Sequence, residues 1–240
     1  MLPKAILFDL DDTILVEDKA AELAWDKACR ISAEKIALFD SEELFKRINH
    51  IRKLYWSDAR RTSTEDRGRI DFSYARMVIV KSALDELGCN QNDSIAKEIV
   101  HTYSCLKLEL TEFVPNAEST LQELKNKRIK LALITNGDGN EQRAKIERFG
   151  MKRFFNTCLV EGELGYGKPD RLIFKIALER LGVESQKTWM VGDRLDYDIS
   201  GAQQSGIYAI WWDYGEKGLP QGSPIIPDRI NHNLTELLTE

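Results

Sequence analysis

Short apolar runs recur along this chain, and each is followed by polar residues or glycine. The runs are residues 6–8, 129–134, 157–160, 188–192 and 207–212. Continuous apolar runs of this length are typical of parallel strands that are buried on both faces. Helix-like patterns separate the later runs, and this alternation predicts an α/β fold with a doubly wound parallel sheet.

The segment between the first two runs has a different pattern, without an evident strand. Apolar residues recur at helical spacing within residues 18–38, 41–60, 69–87 and 93–108. Four amphipathic helices of this length can pack together as a bundle. We therefore expect two domains: an α/β domain of residues 1–16 and 109–240, and an inserted helical domain of residues 17–108.

The first apolar run ends in a group of carboxylates that includes Asp9 and Asp11. Ligands of open α/β sheets bind beyond the carboxyl ends of the strands. Residues two apart in an extended chain point to the same side, so Asp9 and Asp11 can face one pocket. Two such carboxylates repel each other unless a cation lies between them, and hard cations such as Mg²⁺ prefer carboxylate and phosphate oxygens. The alternative interpretation is a strand followed by an Asp-rich surface turn.

Three later segments carry groups that suit a phosphoryl ligand. Thr135 and Asn136 follow the second run in a Gly-rich turn that opens a helical pattern, where a hydroxyl and free backbone N–H groups can bind anionic oxygens. Lys168 precedes a helix that we expect to begin near Pro169. Another apolar run ends in Asp193. A strand, turn and helix cap, or a solvated loop lysine, would explain each segment singly.

Together these segments resemble the haloacid dehalogenase superfamily, specifically its phosphatase branch, because four motifs occur in the family order. The motifs are Asp9-Leu10-Asp11-Asp12-Thr13, then Thr135, then Lys168 with Pro169, then Gly192-Asp193 with Asp198. Each motif alone is short enough to recur by chance, whereas four in order at strand ends are specific. The resemblance implies a Rossmann-like core with a helical cap inserted between the first and second motifs.

The resemblance also implies a reaction, the hydrolysis of a small phosphorylated metabolite through an aspartyl-phosphate. Asp9 would be the nucleophile. Asp11 would protonate the leaving oxygen and then accept a proton from the attacking water. Thr135, Asn136 and Lys168 would hold the remaining phosphate oxygens.

A metal site follows from the same resemblance. Mg²⁺ would be bound by Asp9, by the backbone carbonyl of Asp11 and by Asp193. Asp198 would lie outside the ligand set and order a metal-bound water or Lys168. For Asp12, Asp138 and Asp196, a turn or helix-cap role is the better interpretation.

Other activities fit these residues to different degrees. Asp11 argues against a dehalogenase, because a departing halide needs no proton. A phosphonatase needs a distinctive cap lysine, and none of Lys27, Lys35 and Lys53 stands out. A phosphoryl receiver would carry its acceptor on a middle strand and would have no cap. A phosphomutase of the β-phosphoglucomutase type and a catalytically silent binding module stay open as alternatives.

Composition narrows the class of protein further. The 240 residues carry 34 basic and 39 acidic side chains, a net charge of −5, so we expect no nucleic-acid partner. The four cysteines and three histidines lack the spacing of a zinc or redox motif. Neither a signal sequence nor an apolar run of the roughly 20 residues that span a membrane is evident. We therefore expect a cytoplasmic monomer or homodimer without a membrane partner.

The substrate is less well indicated than the reaction. Five arginines give one region of the helical segment a positive bias: Arg60, Arg61, Arg67, Arg69 and Arg76. They could bind a carboxylate or phosphate of an anionic metabolite, or they could form a solvated helix face. Tyr55 and Trp56 are expected to pack within the bundle.

Overall fold

The computed structural model describes residues 2–36, 39–66, 72–89 and 93–239, with the backbone alone for residues 36 and 58–66. The chain divides into two compact units. One consists of Met1–Val16 with Glu112–Glu240, and the other is Glu17–Thr111. We call them the α/β unit and the helical unit.

The strands all belong to the α/β unit, and the helices are shared between the two units. The strands are β1 (Ala5–Phe8), β2 (Leu15–Val16), β3 (Glu112–Phe113), β4 (Lys130–Thr135), β5 (Thr157–Val160), β6 (Thr188–Gly192), β7 (Tyr208–Trp212) and β8 (Arg229–Asn231). The helices are α1 (Asp18–Ile36), α2 (Ser41–Asp66), α3 (Phe72–Glu86), α4 (Asp93–Leu110), α5 (Ala117–Asn126), α6 (Gly139–Arg148), α7 (Glu161–Leu164), α8 (Arg171–Leu181) and α9 (Ser200–Gln204).

A parallel sheet of six strands forms the centre of the α/β unit. Its strand order is β5-β4-β1-β6-β7-β8, so the chain crosses from one side of β1 to the other between β5 and β6. Such a reversal of strand order is the point where open α/β sheets bind ligands. The predicted doubly wound parallel sheet is therefore confirmed. Strands β2 and β3 pair separately and antiparallel.

Both faces of the sheet are buried, which explains why its strands read as continuous apolar runs. Ile6 and Phe8 of β1 point into one apolar cluster, whereas Ala5 and Leu7 point into another. Helices α5 and α6 cover the first cluster. Helices α8 and α9 cover the second. Strand β1 is therefore held rigidly, and the residues after its carboxyl end have a fixed position.

The helical unit contains the four helices that the sequence predicted, α1 to α4, packed around one apolar cluster. Trp25 of α1 stacks on Tyr103 of α4, with ring centroids 3.8 Å apart and an interplanar angle of 16°. Tyr55 and Trp56 pack against this cluster, as predicted. Helix α4 ends at Leu110, beyond the expected boundary at residue 108, because Leu106 and Leu110 still pack on the cluster.

The five arginines of the helical segment are only partly described. Arg76 is buried, and its guanidinium carbon lies 5.3 Å from the centre of the Tyr103 ring. Arg67 and Arg69 lie outside the described residues, as do the side chains of Arg60 and Arg61. A binding role for this group of arginines therefore stays a prediction.

Two local predictions need correction or addition. The helix after Lys168 begins at Arg171 rather than Pro169, because the Asp170 side chain caps it by accepting a hydrogen bond from the Leu172 N–H at 2.9 Å. Strands β2, β3 and β8 were not predicted, since runs of two or three residues give no usable periodicity.

Among the described residues, no helix combines the length and the apolar character that crossing a bilayer requires.

Candidate active site

The carboxyl ends of three neighbouring strands bring together residues that are far apart in sequence. Strand β1 lies between β4 and β6. Asp9 follows β1, Thr135 is the last residue of β4, and Asp193 follows β6. The Asp9 N–H donates to the Val191 carbonyl at 3.0 Å, which ties Asp9 to the neighbouring strand. Parallel pairing thus gathers these three side chains at one edge of the sheet.

Lys168 lies between two of the carboxylates. Its ammonium forms an ion pair with Asp9, and its Nζ lies 2.6 Å from Asp198 Oδ1. The Lys168 side chain is 3% exposed, so little water screens these contacts. Burial by itself would lower the pKa of Lys168, but Asp198 and Asp9 outweigh burial and hold the pKa above its ordinary value. Lys168 therefore carries a permanent positive charge beside the Asp9 carboxylate.

Asp9, Asp193 and Asp198 form a carboxylate cluster, with one oxygen of each lying within 4.8 Å of the others. Burial raises the pKa of Asp9, with Lys168 opposing the shift and Asp198 adding to it. Burial also raises the pKa of Asp193, and the charges of Asp9 and Asp198 raise it further. Lys168 supplies one positive charge against three carboxylates, so the cluster has an excess of negative charge.

The carboxylate cluster fits a hard divalent cation such as Mg²⁺, which takes oxygen ligands and would offset the excess charge. Asp198 is already engaged by Lys168, and its Oδ2 accepts a hydrogen bond from the Arg194 N–H at 3.0 Å. Asp9 and Asp193 are therefore better suited than Asp198 to bind a metal directly. The Asp11 backbone carbonyl, the third predicted ligand, lies two residues after Asp9.

A glycine at the end of β6 makes room for this arrangement. A Cβ atom at Gly192 would lie only 2.2 Å from Asp198 Oδ2, so a larger residue would displace the Asp198 carboxylate. The indole N–H of Trp211 donates to the carbonyl of Asp193, the residue after Gly192, at 2.7 Å and holds that residue in place. Gly192 thus makes room for Asp198, and Trp211 fixes the backbone of Asp193.

Asn136 connects the turn after β4 to Lys168. Its side-chain nitrogen donates to the Lys168 carbonyl at 2.7 Å, and its side-chain oxygen accepts from the Lys168 N–H at 2.8 Å. The Asn136 side chain therefore orients the lysine backbone, which leaves the Asn136 backbone N–H as its group for a phosphate. The Gly137 N–H donates to Glu161 Oε2 at 2.9 Å, and Glu161 was not predicted from the sequence.

The Asp11 carboxylate faces helix α6 rather than the carboxylate cluster. Its Oδ1 lies 2.6 Å from Lys145 Nζ, and its Oδ2 accepts from Gln142 Nε2 at 2.7 Å. Gln142 Nε2 also lies 2.8 Å from the Thr135 hydroxyl and 2.7 Å from the Asn136 carbonyl. The sequence pointed to neither Gln142 nor Lys145; the only available signal was a pair of polar residues three apart on one helix face.

Of the three acidic residues that the sequence assigned to turns or caps, Asp138 is a helix cap and Asp12 lies in a turn, whereas Asp196 forms a surface ion pair. Asp138 caps α6, and its side chain accepts from the N–H groups of Asn140 and Glu141. Asp196 pairs with Arg194 at 2.8 Å on the surface. A third, Asp12, has a positive φ of 56° in the turn after β1. The described contacts give Asp138 and Asp196 structural explanations that need no chemistry.

Known proteins are similar to this chain in sequence and in fold. A family model described as haloacid dehalogenase-like hydrolase matches residues 3–206. A glyceraldehyde 3-phosphate phosphatase from Methanopyrus kandleri is 31% identical over 209 residues, which cover 86% of this chain and 82% of that protein. A ribulose-1,5-bisphosphate 5-phosphatase from Halopiger xanaduensis is 29% identical over 213 residues, or 89% of this chain and 86% of that protein.

A solved structure resembles the whole fold. The HAD-hydrolase YfnB from Bacillus subtilis, crystallised bound to magnesium, aligns with a TM-score of 0.75. The alignment covers 99% of this chain and 98% of the YfnB chain at 24% sequence identity. At that identity the likeness concerns the fold alone.

Proposed function

Because this chain belongs to the haloacid dehalogenase-like hydrolase family and is a phosphatase of a small phosphorylated metabolite, we propose that it acts through Mg²⁺ and a phosphorylated Asp9. The observation that carries the proposal is the buried contact of Asp9 with Lys168, beside Asp193 and Asp198. A carboxylate next to a fixed ammonium, at the carboxyl end of a central strand, is suited to attack a phosphoryl group.

The proposed reaction has two displacements at phosphorus. In the first, an Asp9 carboxylate oxygen bonds to phosphorus while the bond from phosphorus to the leaving oxygen breaks. Asp11, which must be protonated when the substrate binds, gives its proton to that oxygen and is left as the carboxylate that Lys145 and Gln142 contact. In the second, water attacks the aspartyl-phosphate, Asp11 takes a proton from the water, and inorganic phosphate leaves Asp9. Asp9 and Asp11 thus return to their starting forms.

The other residues stabilise charge rather than form bonds. Lys168, the Thr135 hydroxyl and the backbone N–H groups of Asn136 and Gly137 are proposed to bind the phosphoryl oxygens. The Gly137 N–H donates to Glu161, so it would have to give up that hydrogen bond to bind a phosphoryl oxygen. Asp198 holds Lys168 in place. Because phosphoryl transfer depends mainly on positioning and charge stabilisation, these rigid contacts suit the reaction.

Mg²⁺ is proposed to bind to Asp9, Asp193 and the Asp11 backbone carbonyl. When bound, it would neutralise carboxylate charge and polarise a phosphoryl oxygen. The cation would also let both Asp9 and Asp193 stay ionised, against the burial that raises the pKa of each.

The helical unit is proposed to act as the cap that selects the leaving group. The proposal rests on its insertion after the first motif and on its separate apolar cluster. The named relatives act on glyceraldehyde 3-phosphate and ribulose-1,5-bisphosphate, so short sugar phosphates are the first compounds to test. We further propose a cytoplasmic monomer or homodimer.

Phosphate release from an aryl phosphate tests the proposal. We expect turnover with Mg²⁺, none with EDTA, and none with Asp9→Asn. Turnover that persists in Asp9→Asn would contradict the nucleophile, and turnover that persists in EDTA would contradict the metal. If no phosphate appears but Asp9 becomes phosphorylated, the mutase alternative is favoured. A folded protein that does neither would be a silent binding module.

A further inference from the structure

Helix α6 delivers two buried polar side chains to the Asp11 carboxylate. Gln142 is 4% exposed and Lys145 is 3% exposed, and they lie three residues apart on one face of the helix. Lys145 contacts Asp11 Oδ1 at 2.6 Å, and Gln142 contacts Oδ2 at 2.7 Å. Each oxygen of Asp11 therefore has its own partner on α6, so the carboxylate cannot rotate without losing a contact.

This arrangement is a costly way to stabilise a fold. Lysine is almost never fully buried unless it is paired, and a buried ion pair often contributes little net stability because both ions lose their water. The next residue of α6, Ile146, packs in the apolar core. Gln142 and Lys145 instead contact polar groups, among them the Asp11 carboxylate, so apolar packing does not explain these two residues.

Gln142 also connects Asp11 to the turn that is proposed to bind phosphate. Its Nε2 reaches the Thr135 hydroxyl at 2.8 Å and the Asn136 carbonyl at 2.7 Å. Gly137 leaves room for this amide, since a Cβ atom there would lie 3.3 Å from Gln142 Nε2. Asp11 and the phosphate-binding turn are thus held by the same side chain.

We propose that Gln142 and Lys145 are positioning residues for Asp11, which fix its carboxylate relative to the leaving-group oxygen of the substrate. The inference rests on the proposed function, in which Asp11 transfers the proton to that oxygen. A catalytic acid that is misplaced by about 1 Å can lose about 100-fold in rate, so two contacts that fix one carboxyl group favour proton transfer. Neither residue touches the phosphoryl group in this account.

A series of phenyl phosphates with leaving groups of increasing basicity separates positioning from general structural support. A poor leaving group needs the proton from Asp11, whereas p-nitrophenolate departs without it. In single turnovers, Lys145→Met should slow phenyl phosphate about 100-fold and p-nitrophenyl phosphate less than about 3-fold. Gln142→Met should give the same pattern with a smaller loss, because it removes a neutral donor.

Arg143→Met is the matched control, because it removes a cation from the same helix that pairs instead with Glu163. It should leave the dependence on the leaving group unchanged. Lys145→Arg, which keeps the positive charge, should recover part of the lost rate with phenyl phosphate. An equal loss with every leaving group in both Lys145→Met and Gln142→Met would overturn the positioning role. If Lys145→Met does not fold, Gln142→Met decides by the same criterion.

The same assay distinguishes failure of the inference from failure of the proposed function. Asp9→Asn should abolish the reaction of every substrate in the series. If Asp9→Asn retains the reaction, the proposed function fails, and the positioning role fails with it. If Asp9→Asn is inactive but the α6 variants lose rate uniformly, only the inference about Gln142 and Lys145 is wrong.

Discussion

Asp9 and Asp11 follow the same strand, two residues apart, yet the charged groups around their side chains differ. Asp9 shares the Lys168 ammonium with Asp198 and lies in a cluster with Asp193. Asp11 lies outside that cluster and has a cation, Lys145, and a neutral donor, Gln142, on its two oxygens. The first surrounding has excess negative charge, whereas the second is balanced.

The difference would allow the end of one strand to serve the two proposed roles of Asp9 and Asp11. Excess negative charge at Asp9 favours a divalent cation, and with it the binding of a phosphoryl group. In the proposed reaction, Asp11, which α6 holds outside the cluster, would carry the proton instead of binding the metal through its side chain. Carboxylates with distinct roles at one site usually owe the difference to their environments rather than to their own chemistry.

Replacing Asp11 tests the charge-balanced surroundings of that residue and should have the largest effect on kcat. Asp11→Asn keeps the shape of the side chain and the backbone carbonyl but cannot transfer the proton. We expect kcat with an alkyl phosphate to fall by about 10²–10⁴-fold, measured by phosphate release. Asp196→Asn, which removes a surface carboxylate paired with Arg194, should keep kcat within about 3-fold of the wild type. An alkyl phosphatase activity that survives Asp11→Asn would argue against its role as the acid.

Replacing Lys168 tests the surroundings of Asp9, which have an excess of negative charge. Lys168→Met should lower kcat by about 10²–10³-fold, because it removes a fixed positive group from the phosphoryl site. It should also lower the free energy of unfolding by about 3–5 kcal/mol, since Asp9 and Asp198 lose their buried partner.

Lys187→Met is the control for that change, because Lys187 pairs with Glu184 at an exposed position. Urea unfolding should distinguish the two variants clearly. Equal stability of Lys168→Met and the wild type would mean that the buried ion pairs of Lys168 do not exist as described.

The binding of Mg²⁺ tests the carboxylate cluster separately from the proposed proton transfer by Asp11. If the cation binds the folded carboxylate cluster alone, Mg²⁺ at 100 times its Kd should stabilise the protein by about 2.7 kcal/mol. The measurement is the urea midpoint with and without Mg²⁺, in wild type and in Asp193→Asn. Stabilisation should be lost in Asp193→Asn and retained in Asp11→Asn, whose backbone carbonyl is unchanged. Equal stabilisation of Asp193→Asn would place the cation elsewhere.

Gly192→Ala has the smallest expected effect, a loss of stability, and it acts on the carboxylate cluster alone. Its Cβ would meet Asp198 Oδ2 at 2.2 Å, so Asp198 must shift away from Lys168. We expect a loss of about 1–3 kcal/mol in unfolding free energy, as for other overpacked sites. Gly139→Ala is a control for the general effect of alanine, because Gly139 has no positive φ and a Cβ there would meet no atom closer than Glu163 Cγ at 3.4 Å. A stability loss in Gly192→Ala no greater than that of Gly139→Ala would show that Asp198 has room to move.

Much of the fold and part of the candidate site could be predicted because a buried parallel strand leaves two signals in a sequence. One is the apolar run itself, and the other is the polar residue at which the run ends. Strand β1 is apolar throughout, and β4 and β6 are apolar between their end residues. The polar residues Asp9, Thr135 and Asp193 stand where the three strands end. Such a change from apolar to polar residues is visible in a sequence without any knowledge of distant contacts.

The contacts of Asp11 could not be predicted in the same way. Gln142 and Lys145 lie 131 and 134 residues from Asp11 in sequence, and their meaning depends on which face of α6 turns toward β1. In the sequence they read as ordinary polar residues of a surface helix. The side chain of Asn136 likewise gained its role only from the folded position of Lys168.

The most direct test of the account is to find where the phosphoryl group is held during turnover. The enzyme would be mixed with Mg²⁺ and p-nitrophenyl phosphate, quenched in acid within the first turnover, and mapped by peptide mass spectrometry. The account predicts a phosphoryl group on Asp9, formed and lost at rates that match turnover. Turnover without a phosphorylated protein, or with the group on another residue, would contradict it.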